Sequence, residues 1–155
     1  MDRATAARAA ERDRRVIVRD ADFVADFASI RLVRSTVFID EQHVPKDLEF
    51  DDRDAVCRHV LALDGGVPVG TGRLDLDYGG KVGRVAVVAS RRRSGVGKAV
   101  MERLHALARV HGQAQLWCHA QLTAVAFYER LGYRSTGPMF LEAGIEHVRM
   151  ERNAR

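Results

Sequence analysis

The chain lacks the features that mark metal-binding, disulfide-bonded and membrane-spanning proteins. Its two cysteines, Cys57 and Cys118, lie far apart and show none of the paired spacings typical of a metal site. No hydrophobic run approaches the length of a membrane span, and no signal-peptide core follows the first residues. We therefore expect a cytoplasmic protein without a metal or a membrane partner, in which both cysteines are buried free thiols.

Aromatic residues and charge of one sign are also sparse. Aromatic residues make up 6% of the 155 residues, and the formal net charge is +4. Half of this excess lies in residues 1–15, and the run from Arg91 to Arg93 is the only dense basic cluster elsewhere. A nucleic-acid binder needs a broad basic face with interleaved aromatics, so we expect no nucleic-acid partner. The length fits one domain, which we place at residues 15–155 after a flexible Ala/Arg-rich tail, residues 1–14.

Hydrophobic periodicity predicts a mixed α/β domain with the element order β-α-β-β-β-α-β-α-β-β. The predicted strands are residues 15–19, 58–63, 67–76, 82–88, 115–119, 133–136 and 147–152. The first helix is capped by Asp20 or Asp22 and continues to Val37, and the other two span residues 96–110 and 123–130. We expect a parallel strand pair wherever a helix connects two strands, and antiparallel pairs at the hairpins.

The most informative segment is the turn from Arg91 to Lys98, in which arginines and two glycines separate an apolar strand from an amphipathic helix. Glycine allows close approach of the backbone to a ligand, and the first helical turn offers unpaired N–H groups. Arginine adds the forked donors that bind phosphate oxygens. The segment predicts an anion-binding loop, although it matches neither the P-loop nor the full dinucleotide fingerprint. The alternative is an ordinary turn with solvated arginines.

The spacing of Arg92, Gly95 and Gly97 after a strand resembles the acyl-CoA pyrophosphate loop of the GNAT superfamily of N-acetyltransferases. Downstream, residues 124–133 (AVAFYERLGY) are similar to the family's A-x-x-F-Y-E-x-x-G-F segment. Residues 37–42, 119–121 and 140–150 resemble the ElaA/YjcF-type branch. The resemblance covers residues 15–152. It implies a single GNAT-like domain with a mixed, mostly antiparallel, twisted sheet of six to seven strands, about four flanking helices and a splayed parallel strand pair.

The resemblance further implies an acyltransferase that uses acetyl-CoA as co-substrate and no metal. The pantetheine arm would lie between the two splayed strands and pair with the backbone of Val85, Ala86 and Val87. A backbone N–H near Val87 would stabilise the oxyanion that develops on the thioester. Further cofactor contacts are implied at Gln121 and Phe127. The pyrophosphate would lie on a loop of seven residues: Arg92, Arg93, Ser94, Gly95, Val96, Gly97 and Lys98.

Direct attack by an amine requires a base for the amine and a proton donor for the departing thiolate. The family match places Tyr128 near the sulfur as that donor, and the alternative is a tyrosine that only packs. Glu41 and His119 are both candidates for the base, and a chain of water molecules is a third route. The remaining interpretation is that Glu41 is a solvated charge and His119 a structural histidine.

We therefore expect an N-acetyltransferase that acts on a primary amine of a small molecule or peptide. The alternative is a non-catalytic domain that binds or senses acyl-CoA. A homodimer is implied by the resemblance only, and Glu142 and His147 would shape either the acceptor pocket or a dimer contact. The acidic run from Asp47 to Asp54 either attracts a cationic amine or forms a solvated loop.

Overall fold

The structure is a computed structural model that describes residues 2–6 and 16–155. Residues 7–14 of the predicted tail lie outside the described residues. Seven strands form one sheet in the order β1-β2-β3-β4-β5-β7-β6. The strands are β1 (Val16–Ala21), β2 (Arg58–Asp64), β3 (Val67–Asp75), β4 (Lys81–Val87), β5 (Gln115–Gln121), β6 (Arg134–Glu142) and β7 (Ile145–Asn153). The helices are α1 (Phe27–Arg34), which continues as a π-helix (Ser35–Glu41), α2 (Lys46–Glu49), α3 (Val96–Val110) and α4 (Val125–Arg130).

This arrangement confirms the predicted mixed α/β domain, and the elements follow the predicted order with one addition, the short helix α2 before β2. The expectation of a parallel pair at every helical connection is wrong, because among the described strands only β4 and β5 form a parallel pair. β1 and β2 are antiparallel although α1 lies between them, since the connection of residues 22–57 is long enough to reverse direction. β7 inserts between β5 and β6 and pairs antiparallel with both.

The first helix begins and ends differently from the prediction. The Asp22 carboxylate accepts hydrogen bonds from the N–H groups of Val24 and Ala25, at 2.9 and 2.8 Å, so it does cap a turn. The α-helix itself starts only at Phe27, and its last turn widens into the π-helix at Ser35. A π-helix adds an extra residue to each turn, which the 3.6-residue period of an amphipathic pattern does not reveal.

The core lies between α3 and the sheet. Val100, Leu104 and Ala108 on one face of α3 are fully buried. They belong to one hydrophobic cluster with Val60, Leu74, Val82, Leu116 and Met150 of the strands. Burying a side chain of this size contributes about 1.5–3 kcal/mol, so this cluster fixes α3 on β2, β3 and β4.

The acidic run of residues 47–54 is only partly the solvated loop of one prediction, because Asp47 and Asp52 are exposed whereas Glu49 and Asp54 are buried. Glu49 and Asp54 are 3% and 1% exposed, and both contact the fully buried guanidinium of Arg34. Arg34 Nε lies 2.8 Å from Glu49 Oε1, and its Nη1 lies 2.7 Å from Asp54 Oδ1. Arg73 of β3 completes the network with hydrogen bonds to Asp51 and Asp54. These carboxylates therefore hold the segment against the sheet instead of facing solvent.

Both cysteines are free thiols, Cys118 buried and Cys57 half-buried, and burial raises the pKa of each to about 12. Within residues 2–6 and 16–155, no helix is long and apolar enough to cross a membrane.

Candidate active site

A cleft of about 660 Å³ opens between β4 and β5. The two strands pair at a single position, Lys81 opposite Trp117, and both line the cleft beyond that position. Tyr128 of α4 and Phe38 of the π-helix also line the cleft. The predicted splayed parallel pair is therefore present, and it leaves the β5-facing side of β4 without a strand partner along the cleft.

A β-bulge shapes the wall that β4 provides. Arg84 and Val85 together stand opposite the single residue Gly72 of β3, and Arg84 has a positive φ of 53°. The bulge directs the Arg84 guanidinium to the carbonyl oxygens of Leu48 and Glu49, each at 3.1 Å. A bulge bends its strand and changes the direction of its side chains. Here it joins β4 to the segment of residues 48–51 at the edge of the cleft.

The predicted anion-binding loop follows the wide end of β4. Gly95 has a φ of 88°, a left-handed conformation that favours glycine, and α3 begins directly after it. The first helical hydrogen bond runs from Ala99 N–H to the Gly95 carbonyl, at 3.0 Å, and no side chain caps the helix. The N–H groups of Val96, Gly97 and Lys98 therefore lack helical acceptors and are available to an anion.

Gly97 and Ser94 have roles within the chain itself. A Cβ on Gly97 would lie 3.3 Å from two ring carbons of Phe127, so the missing side chain lets α3 and α4 approach closely. The Ser94 hydroxyl donates a hydrogen bond to the Arg91 carbonyl. Phe127 therefore packs against the start of α3 at Gly97.

Two of the three arginines at this loop, Arg91 and Arg92, are paired with carboxylates, whereas Arg93 is exposed. Arg91 Nε donates to Asp64 Oδ2 at 2.7 Å. Arg92 Nη2 lies 3.0 and 2.8 Å from the two carboxylate oxygens of Glu41, and its Nε donates to the Val87 carbonyl at 3.0 Å. Arg93 is exposed and has a φ of 62°. Arg92 thus connects the loop to the end of the π-helix.

Gln121 forms a bridge across the cleft. Its side-chain N–H donates to the Gln42 amide oxygen at 2.8 Å, and Gln42 returns a longer hydrogen bond of 3.5 Å. The two amides join the π-helical side of the cleft to the end of β5. Any contact between Gln121 and a cofactor would have to break or share this pair.

Tyr128 both packs in the core and lines the cleft. Its ring packs edge-on against Phe127 and Tyr133, with centroids 5.2 and 5.4 Å away, and the residue is 8% exposed. Among the residues that the structure describes, no group hydrogen-bonds its hydroxyl. Burial raises the pKa of Tyr128 well above its ordinary value, so the hydroxyl keeps its proton at neutral pH.

Three titratable side chains lie together on the other side of the cleft. The carboxylate of Glu142 lies 3.2 Å from His119 Nδ1 and 3.7 Å from His147 Nε2. The hydrogen bond to Glu142 places the His119 proton on Nδ1 and leaves Nε2 to accept one. Burial lowers the pKa of His119 and outweighs the opposing effect of Glu142, so the ring is neutral at pH 7.

The structure brings most predicted site residues together. The cleft is lined by Val85, Ala86, Val87, Arg92, His119, Gln121 and Tyr128, and the loop of residues 93–98 follows at its wide end. Glu41 does not line the cleft. Lys81, Arg84 and Gln42 were not predicted, and they do line it or its edge. The residue pair Gly83-Arg84 inside an apolar strand was the available signal for a bulge.

A family model described as "Acetyltransferase (GNAT) domain" matches residues 22–154. The chain belongs to the GNAT acetyltransferase family. Within that family it is similar to the N-acetyltransferase YjcF of Bacillus subtilis strain 168. The two are 40% identical over 120 residues, which is 76% of this chain and 86% of that protein.

Two solved structures share the fold. An acyl-CoA N-acyltransferase from Pseudomonas aeruginosa superposes with a TM-score of 0.78 at 27% identity, over 89% of this chain and 99% of that one. Escherichia coli ElaA superposes with a TM-score of 0.79 at 24% identity, over 88% and 99% of the two chains. The predicted family and fold are confirmed, and the chain is an acyltransferase by family.

Proposed function

We propose that the chain transfers the acetyl group of acetyl-CoA to a primary amine of a small molecule or peptide by direct attack. The observation that carries this proposal is the cleft between β4 and β5, which is lined both by a proton-bearing Tyr128 and by the residues at the unpaired edge of β4. The family membership supports the reaction class.

The chain's own groups fit the donor molecule. The N–H groups of Val96, Gly97 and Lys98 face no helical acceptor, and a pyrophosphate would satisfy them at the positive end of the α3 dipole. Val85, Ala86 and Val87 offer backbone groups to the amides of the pantetheine arm, as an added strand would. The thioester supplies the activated carbonyl. Of the loop's side chains, Arg92 would have to leave Glu41 to reach a phosphate.

Tyr128 is the proposed proton donor to the sulfur. As the amine nitrogen bonds to the carbonyl carbon, the C–S bond breaks and the sulfur takes up a proton. A tyrosine whose pKa lies above its ordinary value holds that proton until the sulfur becomes basic. Its packing against Tyr133 and Phe127 keeps the hydroxyl in place, so packing and proton donation are compatible roles.

The geometry favours His119 over Glu41 as the base that receives the amine proton. His119 lines the cleft, is neutral at pH 7 and presents Nε2 without a hydrogen-bond partner among the described residues. Glu41 lies outside the lining and is neutralised by Arg92. Glu142 orients the imidazole by accepting a hydrogen bond from Nδ1–H.

Thiol release from acetyl-CoA tests the proposal. We expect release that depends on an added amine, with the amine recovered as its N-acetyl product by mass spectrometry. Tight binding of coenzyme A without turnover on a broad panel of amines would contradict the enzyme and support the acyl-CoA sensor instead.

A further inference from the structure

The narrow end of the cleft defines where an acceptor must lie. β4 and β5 converge at Lys81 and Trp117, whereas the proposed pyrophosphate loop adjoins the wide end. A donor molecule bound from the wide end leaves the region near Lys81, His119 and Glu142 for the acceptor. The charges of that region therefore indicate the acceptor's chemistry.

The two described arginines that line the cleft, Arg84 and Arg92, are paired within the chain, and so is Arg149 beside Trp117. Each contacts a carboxylate: Arg84 with Asp51 at 3.1 Å, Arg92 with Glu41 at 2.8 Å and Arg149 with Glu151 at 2.9 Å. Lys81 is the exception. Within residues 2–6 and 16–155 it forms no ion pair, although it is half-buried and lines the cleft.

The nearest cross-strand carboxylate is occupied by another residue. Asp75 stands opposite Lys81 in the β3–β4 register, but both its oxygens accept hydrogen bonds from Arg53, at 2.8 and 2.9 Å. Lys81 Nζ lies 5.1 Å from the centroid of the Trp117 ring, which positions the ammonium without neutralising it. Partial burial lowers the pKa of Lys81 although the charge of Glu142 opposes that shift, so the folded chain carries a desolvation cost that a bound anion would offset further.

The opposite charge faces the same space from β6. The Glu142 carboxylate is exposed to the cleft and is held by His119 and His147. Lys81 and Glu142 form no ion pair with each other, although the charge of Glu142 acts on Lys81 through space. Among the described residues that line the cleft, Lys81 is a cation without an ion pair and Glu142 is an exposed carboxylate, whereas Glu49 is buried and paired with Arg34. This arrangement complements a ligand that carries an amine and an anionic group on separate atoms.

We propose that the acceptor is an amine that also carries a carboxylate, which binds Lys81 while the amine lies beside His119 and Glu142. This inference rests on the proposed function and names its substrate class. Lys81 is the specificity-determining residue. A purely cationic acceptor such as a diamine would place a second positive charge against Lys81 and is disfavoured.

Matched acceptors test this proposal. γ-Aminobutyrate, butylamine and butane-diamine share the chain length and amine chemistry, and differ only in the distal group. We expect kcat/KM for γ-aminobutyrate to exceed that of butylamine about tenfold to a hundredfold, as one charge-assisted hydrogen bond supplies. Two shorter pairs, glycine with ethylamine and β-alanine with propylamine, show which distance between amine and carboxylate the cleft prefers.

Variants of Lys81 test whether this residue causes the preference for an acceptor with a carboxylate. Lys81→Met should bring the carboxylate and the alkylamine to within about twofold of each other, mainly through KM, while Lys81→Arg keeps the preference. Lys46→Met, at an exposed lysine outside the cleft, is the matched control and should leave the preference unchanged. If Lys81→Met does not fold, the wild-type comparison and Lys81→Arg still decide the question.

The outcomes separate this inference from the proposed function. Equal turnover of the three acceptors, or a preference for the diamine, would overturn the inference and leave the acetyltransferase in place. If no amine in the series or in the broad panel is acetylated while coenzyme A binds, the proposed function fails. Ligand-observed NMR then decides the inference, because γ-aminobutyrate binding no more tightly than butylamine would overturn it.

Discussion

Arg92 and Glu41 form an ion pair in which one guanidinium nitrogen contacts both carboxylate oxygens, at 3.0 and 2.8 Å. The pair joins the turn before α3 to the end of the π-helix, and the sequence separates the two residues by 51 positions. One residue had been predicted to bind phosphate and the other to act as a base. Their contact means that neither is free for its predicted task while the pair persists.

Replacing Glu41 separates these two roles. Glu41→Gln releases Arg92, so we expect the Kd for coenzyme A to fall severalfold while kcat stays within about twofold of the wild type. Calorimetry and steady-state kinetics measure the two quantities. Asp40→Asn, an exposed acidic neighbour, controls for the change in net charge. A fall of kcat by about 10²-fold or more would instead identify Glu41 as the base.

Tyr128→Phe removes the proposed proton donor and keeps the ring. We expect kcat to fall about 10²- to 10⁴-fold, the usual contribution of general acid catalysis, with the Kd for coenzyme A within about twofold. Tyr133→Phe is the matched control, because Tyr133 packs against Tyr128 but lies outside the cleft lining. The role assigned to Tyr128 is lost if both variants turn over at the wild-type rate.

The acidic limb of the pH profile reports the base. Burial lowers the pKa of His119 below its ordinary value of 6.5. Protonation removes the base, so kcat should fall with decreasing pH through a midpoint below 6.5. An acceptor amine whose own pKa lies far from this range keeps its titration out of the measurement.

Replacing Glu142 tests the direction in which the midpoint of the acidic limb shifts. The Glu142 hydrogen bond raises the pKa of His119, so Glu142→Gln should move the midpoint to lower pH. Glu146→Gln, at an exposed neighbour, should leave it in place. A midpoint that rises in Glu142→Gln, or that survives unchanged in His119→Gln, would refute the assignment.

Arg34 holds the wall of the cleft through buried charges. Arg34→Ala leaves Glu49 and Asp54 buried without their main partner, which should lower the free energy of unfolding by about 3–5 kcal/mol. Urea denaturation measures the change. Arg31→Ala, at an exposed position on the same helix, should stay within about 0.5 kcal/mol. Equal effects of the two substitutions would mean that the network adds no stability.

Local sequence patterns predicted most of the fold. Hydrophobic alternation placed β2, β3 and β4, and the glycines before α3 placed its start, because these signals lie within a few residues. β6 was predicted too short, as residues 133–136, because Gly137 and Pro138 resemble a turn. In the structure the irregularity is a bulge within an edge strand, where proline is tolerated.

Long-range pairing explains what the sequence did not reveal. Arg34 lies four residues after Ile30 on the apolar stripe of α1, which was a signal for a buried cation, but its partners are 15 and 20 residues away. The sequence also gives no sign that Lys81 lacks an ion pair, because this depends on the contact of its cross-strand neighbour Asp75 with Arg53. Which carboxylate meets which cation depends on the register of the sheet, and periodicity alone does not give that register.

Binding of coenzyme A, compared with pantetheine, tests the central claim most directly. Pantetheine has the arm and the thiol but lacks the pyrophosphate, so it cannot use the N–H groups at the start of α3. Calorimetry on the full chain should show coenzyme A binding at least about tenfold more tightly than pantetheine. Equal affinities, or no uptake of coenzyme A by the folded protein, would contradict the account.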